Sequence, residues 1–252
     1  MDVSLYQAAA AMNASTRWQE VIADNLAAGQ IPGFKKQELS FSSVQAGFMP
    51  GAAGASRSTS QRITMPQAGA STNFQPGELR PTGVATDMAI EGGGFFEVQM
   101  PGGTQGYTRD GEFHLNAQGQ LVTKQGLLVM SETGPVQVDP NNAAPLTVAP
   151  NGELSQAGVV KGKLKLIEFS DPAALTSAGT GLFISANPAV PPYAAQAANV
   201  RQGFLENANT TAMIEMSNLI SAMRLYEANQ KVIQTQDERM GRLISEVANP
   251  IS

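Results

Sequence analysis

Apolar residues recur at helical spacing only at the two ends of this chain. Between Asp2 and Ala28, Leu5, Ala8, Met12, Ile22 and Leu26 fall on one seam with intervals of three and four, weakened by Ser15 and Gln19 on the same seam. That spacing predicts an amphipathic helix with a narrow covered stripe. Ser4 and Gln7 fit a capping box at its start. Gly29 offers a left-handed C′ residue, and Pro32 blocks continuation. A longer helix is expected from about Thr210 to Val247. There Ala212, Met216, Leu219, Met223, Tyr226, Ile233, Met240, Ile244 and Val247 hold the same alternation, with only Gln230 and Asp237 out of character. Asn209 or Thr210 is placed to cap it. Glu227 with Lys231, and Glu238 with Arg242, are acid-first i,i+4 pairs worth roughly 0.3–0.5 kcal/mol each.

The middle reads differently. From Asn73 to Asn199 short apolar runs alternate with turn signals every 8–12 residues or so, as in an antiparallel sandwich or barrel. Phe95 to Met100 is strand-like and is followed by Pro101-Gly102-Gly103. Asp110-Gly111 predicts a hairpin between Tyr107-Thr108 and Phe113-His114-Leu115. Asn116 to Gly119 turns again before Leu121-Val122-Thr123, Asn151-Gly152 marks another hairpin, and Lys163 to Leu166 alternates cleanly. Gln45 to Ser60, rich in Gly, Ala and Ser, reads as a flexible or extended loop. The expected fold class is α+β: N- and C-terminal helices paired as a coiled-coil-like stalk, with a central antiparallel all-β domain. The expected divisions are a terminal helical assembly domain from residues 1–35 and 205–252, an extended or flexible linker at 36–72, and the β domain at 73–204.

Composition narrows the function. The 252 residues suffice for one or two domains. Charged residues make up 15% and the formal charge is −5. With no Lys/Arg cluster, a nucleic-acid partner is not expected. There is no cysteine and one histidine, His114, which excludes disulfides, thiolate chemistry and His-rich zinc sites. No run approaches the roughly 20 apolar residues of a membrane span, so membrane insertion is not expected. Asp2 stands where a secretory signal is positive, the first basic residue is Arg17, and Gln7 interrupts the apolar stretch. Taken alone this indicates a cytoplasmic protein; export through a dedicated channel without cleavage leaves the same sequence.

Candidate chemistry is thin. Gly92-Gly93-Gly94 lacks the helix and the Lys with Ser/Thr that a phosphate loop requires, and a tight backbone approach before a strand fits better. Asp87, Glu91, Asp110 and Glu112 contain the carboxylate pair that a glycan hydrolase needs, but carboxylates near β turns are usually solvated. Trp18 is expected in a helix interface. An envelope glycan-acting β enzyme and a soluble binding module are the alternatives to a structural role.

Three ordered motifs carry a resemblance to a known family. Ala23-Asp24-Asn25-Leu26-Ala27-Ala28-Gly29-Gln30-Ile31-Pro32-Gly33-Phe34-Lys35 resembles the N-terminal signature of bacterial flagellar rod and hook axial proteins. Asn25, Leu26, Gly33 and Phe34 agree with it; Asp24, Ala28 and Ile31 depart. Thr82-Gly83, Asp87-Met88-Ala89-Ile90, Gly92, Gly94-Phe95-Phe96 and Tyr107-Thr108-Arg109-Asp110-Gly111 resemble the family's β motif. Gly203-Phe204-Leu205-Glu206, Asn209, Glu215-Met216, Leu219-Ile220, Arg224, Tyr226-Glu227 and Lys231 resemble its closing helix, with Ala208 where Ser is usual. The short chain points to a rod member, and Pro81-Thr82-Gly83 leans toward the proximal type.

The resemblance implies a structural subunit of the basal-body rod with no catalysis and no cofactor. It implies export unfolded through the flagellar export apparatus without a cleaved signal, a place in the rod across the periplasm, and neighbours that are copies of itself and other rod and hook proteins. The seams and the motifs together give an expected assembly interface. Its N-terminal part is Leu5, Met12, Ile22, Asn25, Leu26, Gly33 and Phe34. Its C-terminal part is Leu205, Glu206, Asn209, Met216, Leu219, Met223, Tyr226, Ile233, Met240 and Ile244.

Overall fold

A computed structural model of the chain describes residues 3–49, 61–140, 142, 144–179, 181–185 and 190–248. It divides into two compact units. One holds residues 1–26, 37–71 and 212–252, the other 27–36 and 72–211. The fold is α+β with a central β domain of largely antiparallel strands.

The helical unit contains α1 (Val3–Ala28) and α2 (Ala212–Ala248). At ~1.5 Å per residue these are roughly 39 and 56 Å long. Along α1 the covered stripe is made by small or short side chains: Ala8, Ala14, Ser15, Val21, Ile22 and Asn25 are buried. Ser15, a polar break in the seam by sequence, is only 1% exposed. Its hydroxyl donates to Ala11 O at 2.8 Å and accepts from Asn229 Nδ2 of α2 at 3.4 Å, so the polar group is satisfied where it is buried. α1 is already helical at Val3, and the side chain of Ser4 lies outside the described residues. The side chain of Leu5 lies outside the described residues.

The stretch Gln37–Thr72, expected as a linker, carries two long strands. Gln37–Met49 and Gln61–Thr72 pair in a two-stranded sheet. Ser40 Oγ bonds Gly69 O at 3.2 Å, and Ser42 Oγ bonds Gln67 O at 3.5 Å. The expected loop from Gln45 therefore begins as strand, and residues 50–60 lie outside the described part. Trp18 meets the ribbon: its ring stands edge-on to Phe41 at 6.2 Å.

In the β unit, strand Phe95–Gln99 is buried on both faces, which is why two phenylalanines stand side by side in the sequence. Phe96 and Val98 enter a large aliphatic core with Leu121, Val129, Leu154 and Leu164. Phe95 enters a second, aromatic core with Tyr107, Phe169 and Phe183, its rings meeting edge-to-face at about 5–6 Å. The Asn116 turn joins Phe113–Leu115 to Leu121–Thr123, and Asn151-Gly152 joins Leu146–Val148 to Glu153–Gln156. Asp110-Gly111 makes no hairpin. Gln105–Thr108 pairs with Phe95–Gln99 and Leu182–Ser185, whereas Phe113–Leu115 pairs with Leu121–Thr123. The turn signal loses because Arg109, Asp110 and Gly111 are drawn inward: a Cβ on Gly111 would stand 1.6 Å from Met88 O.

Truncating the residue at the centre of the larger core tests this packing. Phe96→Ala should lower the unfolding free energy by roughly 3–5 kcal/mol, read as a lower urea midpoint with an unchanged slope.

Candidate functional site

The three sequence motifs meet at one buried ionic knot in the β unit. Lys35, from the turn after α1, places its Nζ on Glu206 Oε1 and donates to Gln75 O at 2.8 Å. Glu206, from strand Phe204–Glu206, accepts a second bond at Oε1 from Gly77 N at 2.8 Å. Its Oε2 accepts from Arg109 Nη1 at 3.2 Å. Arg109 also donates to Ile90 O at 3.3 Å and Gly92 O at 2.8 Å, and its guanidinium lies 5.5 Å from the Phe95 ring centre. Lys35 and Glu206 are 2% and 1% exposed. One carboxylate thus answers two cations out of water. Burial pulls Lys35 and Arg109 below their ordinary pKa values, outweighing the attraction of Glu206 that holds both up.

Backbone contacts tighten the knot. Gly33 N donates to Glu206 O at 2.7 Å and Asn209 N donates to Phe34 O at 3.3 Å. Gly33 has φ +67°, and a Cβ there would lie 2.2 Å from the Arg109 carbonyl carbon, so glycine is required both by conformation and by space. It is Gly33, not Gly29, that takes the left-handed conformation after α1; the helix end itself closes through Ile31 N to Ala28 O at 2.9 Å.

Asn209 does not cap α2. Its Oδ1 accepts from Lys36 N at 2.7 Å, and its Nδ2 donates to Asn73 O and Gln75 O at 2.8 and 3.1 Å. Its amide is spent on stitching the chain that leads to α2 onto the chain that leaves α1. In the helical unit the Asn25 amide is used in a similar way. Its Nδ2 donates to Gln37 O and its Oδ1 accepts from Gln37 N, both at 2.8 Å.

Gly33, Phe34, Leu205, Glu206 and Asn209 therefore come together inside the subunit. Sequence reasoning assigns them to an interface and passes over the two cations, Lys35 and Arg109. Both stand within the family motifs. Their signal is a charge embedded beside Phe34 and beside Tyr107-Thr108 in a chain with only 15% charged residues.

The residues along α2 stand apart from this knot. Leu219, Tyr226 and Ile233 are half-buried, and Glu215 and Ala222 are buried. Met216, Met223, Met240 and Ile244 are 54%, 53%, 49% and 67% exposed. With Met213 and Ile220 also exposed, part of the seam is uncovered by the chain's own fold. The exposed pairs Glu227–Lys231 and Glu238–Arg242 form no ion pair among the described residues, in keeping with the small worth of solvated pairs.

Of the acidic candidates, Asp87, Asp110 and Glu112 line one cleft. Glu91 lies elsewhere and pairs with Arg201 at 3.2 Å. Asp110 is 6% exposed, and burial raises its pKa to about 6. His114 is exposed on strand Phe113–Leu115. The described residues contain no group of three or more acidic or histidine side chains arranged to hold a metal, and none of the described helices is long and apolar enough to cross a membrane.

Two family models match the chain. Residues 89–156 match the flagellar hook protein FlgE/F/G D1 domain, and residues 201–246 match the flagellar basal body rod FlgEFG protein C-terminal region. Arg109 lies in the first and Glu206 in the second. Among curated relatives, the flagellar basal-body rod protein FlgG of Buchnera aphidicola subsp. Baizongia pistaciae is 32% identical, over 95% of this chain and 98% of its own length. The chain belongs to the flagellar basal-body rod protein family. The rod protein FlgF of Caulobacter vibrioides is likewise 32% identical, over 94% and 95% of the two chains. FlgF of Escherichia coli is 31% identical over 96% and 97%. Within the family the chain is FlgF- or FlgG-like, a structural subunit of the basal-body rod and not an enzyme.

Two outcomes check the site. Glu206→Gln leaves Lys35 and Arg109 buried without a counter-charge and should cost roughly 3–5 kcal/mol in denaturant unfolding. Asp110 holds its proton more tightly folded (about 6) than its ordinary value of 3.8. Its contribution is therefore present below pH 4 and lost as pH rises through 6, a fall of up to about 3 kcal/mol. Asp110→Asn, which keeps an oxygen for the Glu112 N–H now bonded at 2.9 Å, should flatten that part of the stability–pH curve.

Proposed function

We propose that this rod subunit polymerises through its terminal helices into the tubular drive shaft that transmits torque across the periplasm. The helices pair as a coiled-coil-like stalk, and copies of the chain and neighbouring rod and hook proteins cover what the pair leaves open. The chain travels unfolded through the flagellar export apparatus. It takes no cofactor, binds no nucleic acid and does not insert into the membrane.

The observation that carries this reading is the uncovered stripe on α2. Met213, Met216, Ile220 and Met223 recur at helical spacing and are 83%, 54%, 54% and 53% exposed. A helix with one partly covered face gains little from local propensity. Each seam side chain contributes roughly 1.5–3 kcal/mol on full burial, and that gain must exceed the ordering cost of the ends. Methionine suits a seam that meets unlike neighbours, because its side chain adapts to irregular gaps. Unlike surfaces on successive neighbours build a helical filament, not a closed ring.

Incorporation into purified basal bodies tests the assignment. Met216→Glu or Leu219→Asp should abolish recovery of the chain with basal bodies while the thermal unfolding of the β unit stays at the parental temperature. Normal incorporation of both variants overturns the seam.

A further inference from the structure

The β unit carries a cleft and a protruding hairpin that the ionic knot leaves unused, and their chemistries are complementary. The cleft measures about 860 Å³. Its walls include Ile31, Pro32, Val84 and Leu205, and Asp87 and Asp110 also line it. Asp87 is 6% exposed, and its carboxylate makes no hydrogen bond or ion pair among the described residues. Its oxygens are not sealed off; they open into the cleft and are free to take a partner there. The other charges around the cleft do not answer it: Lys124 is paired with Glu112 at 3.3 Å, and Arg80 and His114 are exposed. The volume far exceeds the ~30 Å³ of a water or an ion, and the described residues provide no three-ligand metal group. A cationic side chain with an apolar stem fits such walls and the unpaired Asp87 carboxylate among them.

The hairpin supplies one. Strands Glu153–Gln156 and Val159–Lys163 join through Ala157-Gly158, with Gln156 opposite Val159. Both turn residues have positive φ, 52° and 78°, the geometry of a tight two-residue turn, and alanine adopts it only at a cost. Val159–Lys163 is the outer strand of its three-stranded sheet, held at its far end by Glu132 N donating to Lys163 O at 3.0 Å and open at its start. At its start Val159 and Val160 are 59% and 57% exposed. Lys161 beside them is exposed and in no ion pair among the described residues, whereas Lys163 is paired with Glu132 at 3.0 Å. Two exposed valines on an open strand edge are a liability unless something covers them.

We propose that the Val159–Lys161 tip of one copy inserts into the Asp87–Asp110 cleft of the next copy along the rod, the valines against the apolar walls and the ammonium on Asp87. The contact is heterologous, since tip and cleft are different surfaces of one chain, and it propagates in one direction. It rests on the rod reading above and adds a β-to-β contact that the helical stripe does not supply.

Two arms test it in cells making the full chain. Lys161→Glu, an exposed change that leaves the monomer's melting temperature unaltered, should cut the chain recovered with basal bodies by about tenfold or more. The chain has no cysteine, so Val84→Cys with Lys161→Cys introduces a unique pair. Oxidation of basal bodies should give a ladder of linked copies that neither single variant gives. Normal incorporation of Lys161→Glu, or an incorporated double-cysteine chain without a ladder, overturns the contact. If Met216→Glu is still excluded, that outcome leaves the rod assignment standing; absence of the unaltered chain from basal bodies removes the rod assignment itself.

Discussion

Glu206 is the constraint on which the β unit depends. Its single carboxylate holds Lys35, 171 residues away in sequence, and Arg109, 97 residues away. An apolar cluster of the same volume in that place is often as stable or more so. What the ions add is intolerance of error. Any register that separates one of the three leaves a charge buried alone, at a cost of several kcal/mol. The knot therefore admits one arrangement of the segment after α1, the central strands and the segment before α2.

The position of the knot matters as much as its strength. Lys35 and Lys36 follow the end of α1, and Glu206 and Asn209 precede the start of α2. Gly33 to Glu206, Phe34 to Asn209 and Lys36 to Asn209 are joined by direct hydrogen bonds. The two runs of chain that lead to the helices thus leave the β unit side by side, fixed to one another by backbone and by charge.

Much of this is legible in the residues, and the failures share one cause. The two helices are readable because their apolar period is local, and the Asn116 and Asn151-Gly152 hairpins because turn chemistry is local. The Asp110-Gly111 hairpin fails because burial of Arg109 and Asp110 overrides a turn preference worth far less. Asn209 resembles a cap because capping is the local use of that side chain, yet its partners, Lys36, Asn73 and Gln75, are remote. Gln37–Thr72 reads as an extended or flexible linker because Ser, Gly and Ala are frequent in it, whereas the pairing of its two strands joins residues distant in sequence. The ionic knot has no periodicity at all, so its three isolated charges can be placed in motifs but not placed together.

Geometry alone sets a limit on what one chain can finish. At ~1.5 Å per residue, the 37 residues of α2 outrun the 26 of α1 by roughly 17 Å. Even perfect antiparallel pairing leaves about three turns of α2 without a partner in α1, and Met240 and Ile244 near its end are exposed. Lengthening a helix beyond its partner costs stability in a monomer, because the added turns order backbone without burying a face. In the polymer proposed above, the same excess would let the overhang of one copy meet the flank of another. The protein thus concentrates its ion pairs in the β unit, where charges forbid alternatives, and leaves apolar side chains near the end of α2 exposed.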